Sequence, residues 1–323
     1  NPFKKDSDGD GLADAVETNT GTFVSASDPG TDPNKYDTDG DTYPDGGELL
    51  YAKNPLDIAS KPFPTGSSFL LAYWPFNDSS TPTAANDVVM GFTGTTTGTY
   101  SVDGGGQSGQ PGDRAMQFTP DQVVTTTSAF ANLASPADSI TVSFWQKLNV
   151  RRNSSAFWMY AASAGGGQRG MQIHTPWSDN NIYFDHSGCC NGPQRLAGPL
   201  PNIDTAEWHH FLLVKSGGTK QVYVDGLLVL NGTGADPLAT DFTTMTIGGG
   251  DNFMDGSIDD FAVFAGSLSH TQICRLSAGE SPATILTPIA GNEFKITDIQ
   301  LTAGDQVQIT WNSVPGCNYT IQT

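Results

Sequence analysis

From residue 68 to about residue 276, short apolar runs alternate with clusters of Gly, Asn, Asp, Ser and Pro. The runs read L-L-A-Y-W-P-F, A-M-Q-F, I-T-V-S-F-W-Q-K-L, F-W-M-Y-A, G-M-Q-I-H, N-I-Y-F-D, W-H-H-F-L-L-V-K, K-Q-V-Y-V-D-G-L-L-V-L, T-M-T-I-G-G and G-S-I-D-D-F-A-V-F. Their lengths, and a periodicity that is either two-residue or nearly continuous, predict about ten β-strands in a sandwich. Asp225-Gly226 supplies the positive φ angles of a tight hairpin turn. S-H-T-Q-I-C-R-L is the one helix candidate in this region. Ahead of it, K-P-F-P-T-G-S-S reads as a linker, and the first 62 residues show no apolar period at all.

That N-terminal stretch is organised by charge instead. Residues 6–17 read D-S-D-G-D-G-L-A-D-A-V-E and residues 37–48 read D-T-D-G-D-T-Y-P-D-G-G-E. Both place acids at loop positions 1, 3, 5, 9 and 12, the spacing with which a loop wraps oxygens around a hard cation. Asp6, Asp8, Asp10, Asp14 and Glu17 make one set, and Asp37, Asp39, Asp41, Asp45 and Glu48 the other. Position 7 would add a backbone carbonyl, from Leu12 or Tyr43. Carboxylates this dense repel one another without an ion, so Ca2+ is expected to set the fold here. Paired EF-hands do not fit. Position 8 is Ala13 in one loop and Pro44 in the other, and Pro44 has no N–H with which to bridge the loops. Helices of ordinary length are not expected beside the loops either, because Gly46-Gly47 interrupts the second flank.

The segment resembles the bacterial thrombospondin type-3 repeat over residues 6–62, including the link S-D-P-G-T-D-P-N-K-Y-D. That resemblance implies ions holding an irregular chain, with Asp28 and Asp32 assisting between the loops. The order Y-W-P-F-N-D, S-I-T-V-S-F-W-Q-K, E-W-H-H-F-L-L-V-K, Q-V-Y-V-D-G-L-L-V, T-I-G-G-G and G-S-I-D-D-F-A-V-F resembles a laminin-G-like, concanavalin A-like domain over residues 68–280. Such domains often carry a structural calcium, for which Asp78 with Asp259 or Asp260 are the matching positions. Residues 285–323 resemble the first strands of a fibronectin-III-like module, too few to close such a sandwich. The expected fold class is therefore all-β: a concanavalin A-like jelly-roll sandwich preceded by irregular calcium-stabilised repeats. The expected divisions are 1–62, a linker at 63–67, 68–280 and 285–323.

Composition narrows the partners. With 34 acids against 15 bases the net charge is −19, which argues against nucleic acid and anionic membranes. No run reaches the length of a membrane span, so membrane insertion is not expected. Weak calcium loops imply millimolar calcium, hence an extracellular, cell-surface or periplasmic site. The chain is read as part of a longer polypeptide or assembly.

The most individual stretch is M-Q-I-H-T-P-W-S-D-N-N-I-Y-F-D-H-S-G-C-C-N-G-P-Q-R-L. His174, Trp177, Asp179, Tyr183, Asp185, Cys189, Cys190 and Arg195 are its candidate ligand residues. Aromatic faces stack on sugar C–H groups, and carboxylates with an Arg give directional bonds to hydroxyls. The alternative is that Trp177 and Tyr183 are core while Asp179 caps a turn. Adjacent Cys189 and Cys190 fit a vicinal disulfide in an oxidising compartment better than a zinc site with His174 and His186. Cys274 and Cys317 are then free to bridge the domain to the last segment. The chain lacks the E-x-D-x-x-E strand of jelly-roll glycoside hydrolases. Gln172-Ile173-His174 matches three letters of a jelly-roll alginate-lyase strand, but the flanking motifs of that family are absent. Three functions follow: non-catalytic binding of a glycan or cell-surface component, a structural spacer or surface-layer component, and a polysaccharide lyase.

Overall fold

The computed structural model describes residues 6–8, 10, 12–41, 43–62, 68–80, 82–287, 295–302, 306–313 and 317. The linker read at 63–67 lies outside the described residues. The first strands are β1 Phe69–Trp74, β2 Ala84–Asn86, β3 Thr93–Thr96, β4 Thr99–Tyr100, β5 Met116–Phe118 and β6 Val124–Thr127. Then come β7 Ser139–Leu148, β8 Phe157–Ala161, β9 Arg169–His174, β10 Asn181–His186, β11 Arg195–Pro199 and β12 His209–Ser216. The last are β13 Thr219–Val224, β14 Leu227–Thr233, β15 Phe242–Ile247, β16 Gly256–Ala265, β17 Lys295–Thr302 and β18 Gln306–Asn312.

They form two antiparallel sheets and a separate hairpin. One sheet runs β14-β13-β12-β7-β16-β5-β4, with β1 added against β16. The other runs β11-β10-β9-β8-β15-β6-β3-β2, and among the described residues β17 pairs only with β18. The architecture is a concanavalin A-like jelly roll. Phe144 of β7 lies opposite Phe211 of β12, with stacked rings 5.8 Å apart. Phe157 of β8 meets Phe144 and Phe261 edge-on, at 6.2 and 5.4 Å, and so joins the two sheets. Burying each such ring contributes about 1.5–3 kcal/mol.

Strand patterning follows what covers each face. The outer face of the first sheet lies under a helix, His270–Ser277, which brings Ile273 and Leu276 onto Tyr73, Leu212, Val214 and Phe264. Ser269 starts that helix with a capping box: Gln272 N donates to Ser269 Oγ at 3.3 Å, and Ser269 N to Gln272 Oε1 at 2.8 Å. Buried on both sides, β12 carries the continuous apolar run Phe211–Val214, whereas β7 alternates and buries the small polar Thr141 and Ser143 on its other face. The second sheet buries Met171, Ile173, Ile182 and Phe184 inward, so Gln172, His174, Tyr183 and Asp185 take its opposite face.

Among the described residues no helix of ordinary length flanks the acidic loops, but Gly46-Gly47 does not interrupt a short one: α1 Asp45–Leu50, of six residues, forms across the pair. The reason is tertiary packing: a Cβ at position 47 would lie 2.4 Å from Leu133 Cδ2 and 2.9 Å from Pro44 Cγ. Only glycine lets α1 press onto the 3₁₀ turn Ala129–Ala134. Tyr43 and Tyr51 flank it and pack against the jelly-roll core, while the Tyr36 hydroxyl donates to Thr240 O at 3.3 Å. At the other end, a disulfide joins Cys317 to Cys274 of the covering helix.

Candidate functional site

The outer face of β8–β11 carries a chain of alternating charges set among aromatic rings. Arg195 donates Nε to Asp185 Oδ1 at 2.7 Å and Nη2 to Oδ2 at 2.6 Å. Arg169 Nε lies 4.0 Å from the same carboxylate, and Arg169 Nη2 donates to Asp251 at 3.1 Å. Each guanidinium also covers a ring: Arg195 sits 4.7 Å above Tyr183, and Arg169 4.4 Å above Trp158, which stacks on Tyr160 at 5.2 Å. The hydrogen bonds to Asp185 raise the pKa of Arg195 above its already high value.

Toward the start of β10 the polarity changes. The Tyr183 hydroxyl donates to Asp179 Oδ2 at 2.7 Å, and Asp179 Oδ1 accepts from Asn181 N at 2.9 Å. The phenol's bond holds the Asp179 carboxyl below the usual range, and the same bond raises Tyr183. His174 Nδ1 pairs with Ser154 O at 2.8 Å. Its ring meets Trp177 edge-on at 4.4 Å and Tyr183 at 6.2 Å, and burial lowers its pKa.

The predicted ligand residues therefore separate into three groups. Trp177 and Tyr183 are half-buried and not core, Asp179 is exposed, and His174 is buried beneath Trp177. Asp185 is fully buried and occupied by Arg195, so it positions the guanidinium and presents no free carboxylate. Cys189 and Cys190 do form a vicinal disulfide, but just beyond the far end of β10 from Trp177. At roughly 3.3 Å per strand residue that separates them from the Trp177 end by the whole strand. The disulfide packs on the turn Gly165–Gln168: a Cβ at Gly166 would stand 3.0 Å from Cys189 N, and φ there is +62°. Gln172 is wholly buried, its Nε2 2.5 Å from Ser155 Oγ and 3.1 Å from Asp251 Oδ1. Arg169, Trp158 and Asp251 escaped sequence reasoning because their partners come from distant strands and loops.

In the acidic segment, Asp6, Asp8 and Asp10 bring carboxylate oxygens within 4.8 Å of one another, as do Asp37, Asp39 and Asp41. A third group joins the two loops: Asp10, Glu17 and Asp45. Asp10 also accepts from Gly46 N at 3.1 Å. Position 9 does the same work in both loops. Asp14 accepts from Ser7 N and Oγ, each at 2.7 Å, and Asp45 from Thr38 N at 2.8 Å and Oγ1 at 2.6 Å. Within the chain, Leu12 N and Tyr43 N donate to Asp10 and Asp41.

A divalent cation fits this donor set. Both carboxylate oxygens of fully buried Glu48 lack a hydrogen bond, as do Glu17 Oε2, Asp8 Oδ2, Asp39 Oδ2 and Asp41 Oδ2. Burial, reinforced by neighbouring aspartates, pushes Glu17 up to about 8 and Glu48 up to about 9. Asp28 and Asp32 stand apart from these groups, accepting from Thr18 Oγ1 at 2.7 Å and Asn34 N at 3.1 Å. Asp78 and Asp259 are not brought into one acidic cluster among the described residues. Asp78 accepts from Ser80 and Asn86, whereas Asp259 is buried and accepts from Gln107 N at 2.8 Å.

Residues 117–274 match the laminin-G-type family model of the concanavalin A-like lectin/glucanases superfamily. Among solved structures, the chain resembles domain 4 of a GH43 extracellular arabinanase from Geobacillus stearothermophilus, in complex with arabinotriose. The identity is 19% and the TM-score 0.48, over 65% of this chain and 98% of that one. It also resembles the botulinum neurotoxin serotype D binding domain, at 14% identity and TM-score 0.48, over 66% of this chain and 52% of that one. Trypanosoma rangeli sialidase is similar at 15% identity and TM-score 0.48, over 64% and 32%. At such identities the likeness is one of fold. No curated protein matches the chain.

Proposed function

We propose that this chain is an extracellular, calcium-binding, non-catalytic module of a larger protein, and that it binds a glycan or cell-surface component through the outer face of β9 and β10. The carrying observation is the pair Trp177 and Tyr183, half-exposed around one buried histidine, with Tyr183 fixed by Asp179 below and Arg195 above. Rings held in place lose little freedom when a sugar stacks on them, so more of the contact appears as affinity. Asp179 offers an acceptor at the rim of Tyr183, and Arg195 offers donors from over one face of that ring. The lectin/glucanase match supports the same class of ligand.

Calcium would be held by Asp6, Asp8, Asp10 and Glu17 in one loop and by Asp37, Asp39, Asp41 and Glu48 in the other, with Asp14 and Asp45 bracing the loops and Asp45 reaching the first site. Bound there, the ion supplies the positive charge that the unpaired buried carboxylates lack. Because α1 carries both Asp45 and Glu48, those ligands also fix the helix that rests on Ala129–Ala134.

A glycan array probed with the calcium-loaded chain and with Trp177→Ala tests the reading. Binding that falls roughly tenfold or more in the variant, at unchanged melting temperature, supports it. A large fall in melting temperature with binding intact in the folded fraction would make Trp177 structural and sink the site. Release of unsaturated product from uronate polymers, followed by ultraviolet absorbance, would replace binding with lyase chemistry.

A further inference from the structure

Beside the Trp177 end of this face lies an open groove of about 490 Å³. Four loops build it: Pro120 comes from β5–β6, Arg152 and Asn153 from β7–β8, Ser178 from β9–β10, and Asp251, Asn252 and Phe253 from β15–β16. We propose that this groove is a saccharide subsite for a neutral pyranose unit, with Asp251 as the hydroxyl acceptor and Phe253 as the apolar wall. It rests on the glycan reading above and extends it past Trp177, since Ser178 borders both.

Asp251 carries most of the argument. Its side chain is 43% exposed, yet three buried groups aim it into place. Arg169 Nη2 and Gln172 Nε2 each donate at 3.1 Å, and Ser155 Oγ at 3.4 Å. Gln172 and Ser155 are fully buried and Arg169 is 6% exposed. The backbone is pinned as well, with Ser155 N donating to Asn252 O at 3.1 Å. Burying three polar side chains to orient one loop carboxylate is disfavoured unless the carboxylate has a use, because each must be desolvated. Oδ1 accepts two of those bonds and Oδ2 only one, so Oδ2 retains an acceptor position on a residue that lines the groove.

The remaining walls match a polyol. Asn153 and Asn252 each offer an amide that both donates and accepts, which suits adjacent hydroxyls. The Phe253 ring is seated against Gly249, where a Cβ would come within 2.8 Å of it. The volume is that of a small-molecule cleft. Charge selects among sugars. Arg195 is paired with Asp185 and Arg169 with Asp251, and Arg152 of the groove is matched in number by Asp179, so the face has no cationic surplus to attract a polyanion. The whole-chain charge of −19 repels one.

The test titrates the intact calcium-loaded chain with neutral gluco-, manno-, galacto- and xylo-oligosaccharides and with uronate oligomers. Phe253→Ala and Asn153→Ala should each weaken binding of the preferred neutral probe about five- to tenfold. Asp251→Asn, which keeps the shape but not the charge, should weaken it further. Asn153 is exposed, so its variant reads binding without a folding effect. If Trp177→Ala loses binding while all three groove variants bind like the parent, the groove is overturned and the glycan function stands. Preference for the uronate probes would overturn the neutral class. Failure of every probe to bind would overturn both readings.

Discussion

Arg195 and Asp185 face each other across β11 and β10, joined by two parallel hydrogen bonds although the carboxylate is fully buried and the guanidinium a quarter exposed. Asp185 has no free carboxylate oxygen to offer, while Arg195 is held in place by it and keeps the N–H groups that the pair does not use. Arg195→Ala leaves Asp185 with only Arg169, 4.0 Å away. It should destabilise the domain by about 3 kcal/mol in urea unfolding, and Arg195→Lys by less. In a double-mutant cycle with Asp185→Asn, additive losses would mean that the pair is not coupled.

The buried Glu48 carboxylate gives calcium a signature that does not depend on ligand binding. With chelator present, Glu48→Gln should melt at a higher temperature than the parent, because the amide is neutral already whereas the buried carboxyl must take up a proton to fold without the ion. With calcium added the order should reverse, and the parent's affinity should lie on the order of 0.1–1 mM. A parent melting curve indifferent to calcium would remove the ion from the account.

Calcium removal should also reach the jelly roll, but only locally. Hydrogen exchange is expected to rise through residues 6–62 and in Ala129–Ala134, on which α1 rests, while β7 and β12 stay protected. Equal protection of residues 6–62 with and without chelator would contradict this. Gly47→Ala, which forces Leu133 to move, should reproduce the change at Ala129–Ala134 with calcium present.

His210 sets a pH dependence of its own. It is buried, with Nε2 2.8 Å from Ser143 Oγ and Nδ1 without a hydrogen bond, and burial lowers its pKa to about 3. In the unfolded chain a histidine protonates near 6.5. Between those values the unfolded state binds the extra proton, so this contribution is whole above about pH 6.5 and is lost as the pH falls. The loss should be about 2 kcal/mol at pH 5. Urea midpoints from pH 7 to 5 should fall more steeply for the parent than for His210→Asn. Equal slopes would acquit the histidine.

Strands with apolar residues on one or both faces were legible because burial writes a period into the sequence. I-T-V-S-F-W-Q-K-L became β7, and N-I-Y-F-D became β10. The Thr- and Gly-rich strands β3 and β6 left no such mark, because every second side chain faces water and the buried ones are Gly, Thr or Val. Helix α1 was hidden for the opposite reason: its glycines read as breakers, although Gly47 is what allows close approach to Leu133. The acidic loops were readable through spacing alone. On the outer face of β9 and β10, sequence proximity gathered Trp177 and Cys189 into one cluster, which the length of β10 pulls apart. Asp251 and Arg169 meet only after the strands have paired.

The bridge between Cys274 and Cys317 turns the tail into a loop outside the path of tension. Force entering beyond position 317 passes through sulfur directly into the His270–Ser277 helix, and β17 and β18 hang from that path unloaded. The separation of 43 residues hides about 150 Å of contour length at full extension. A pulling experiment should recover that length only after reduction. Under oxidising conditions the covering helix, its apolar side still on Tyr73 and Phe264, is the first element to feel the load.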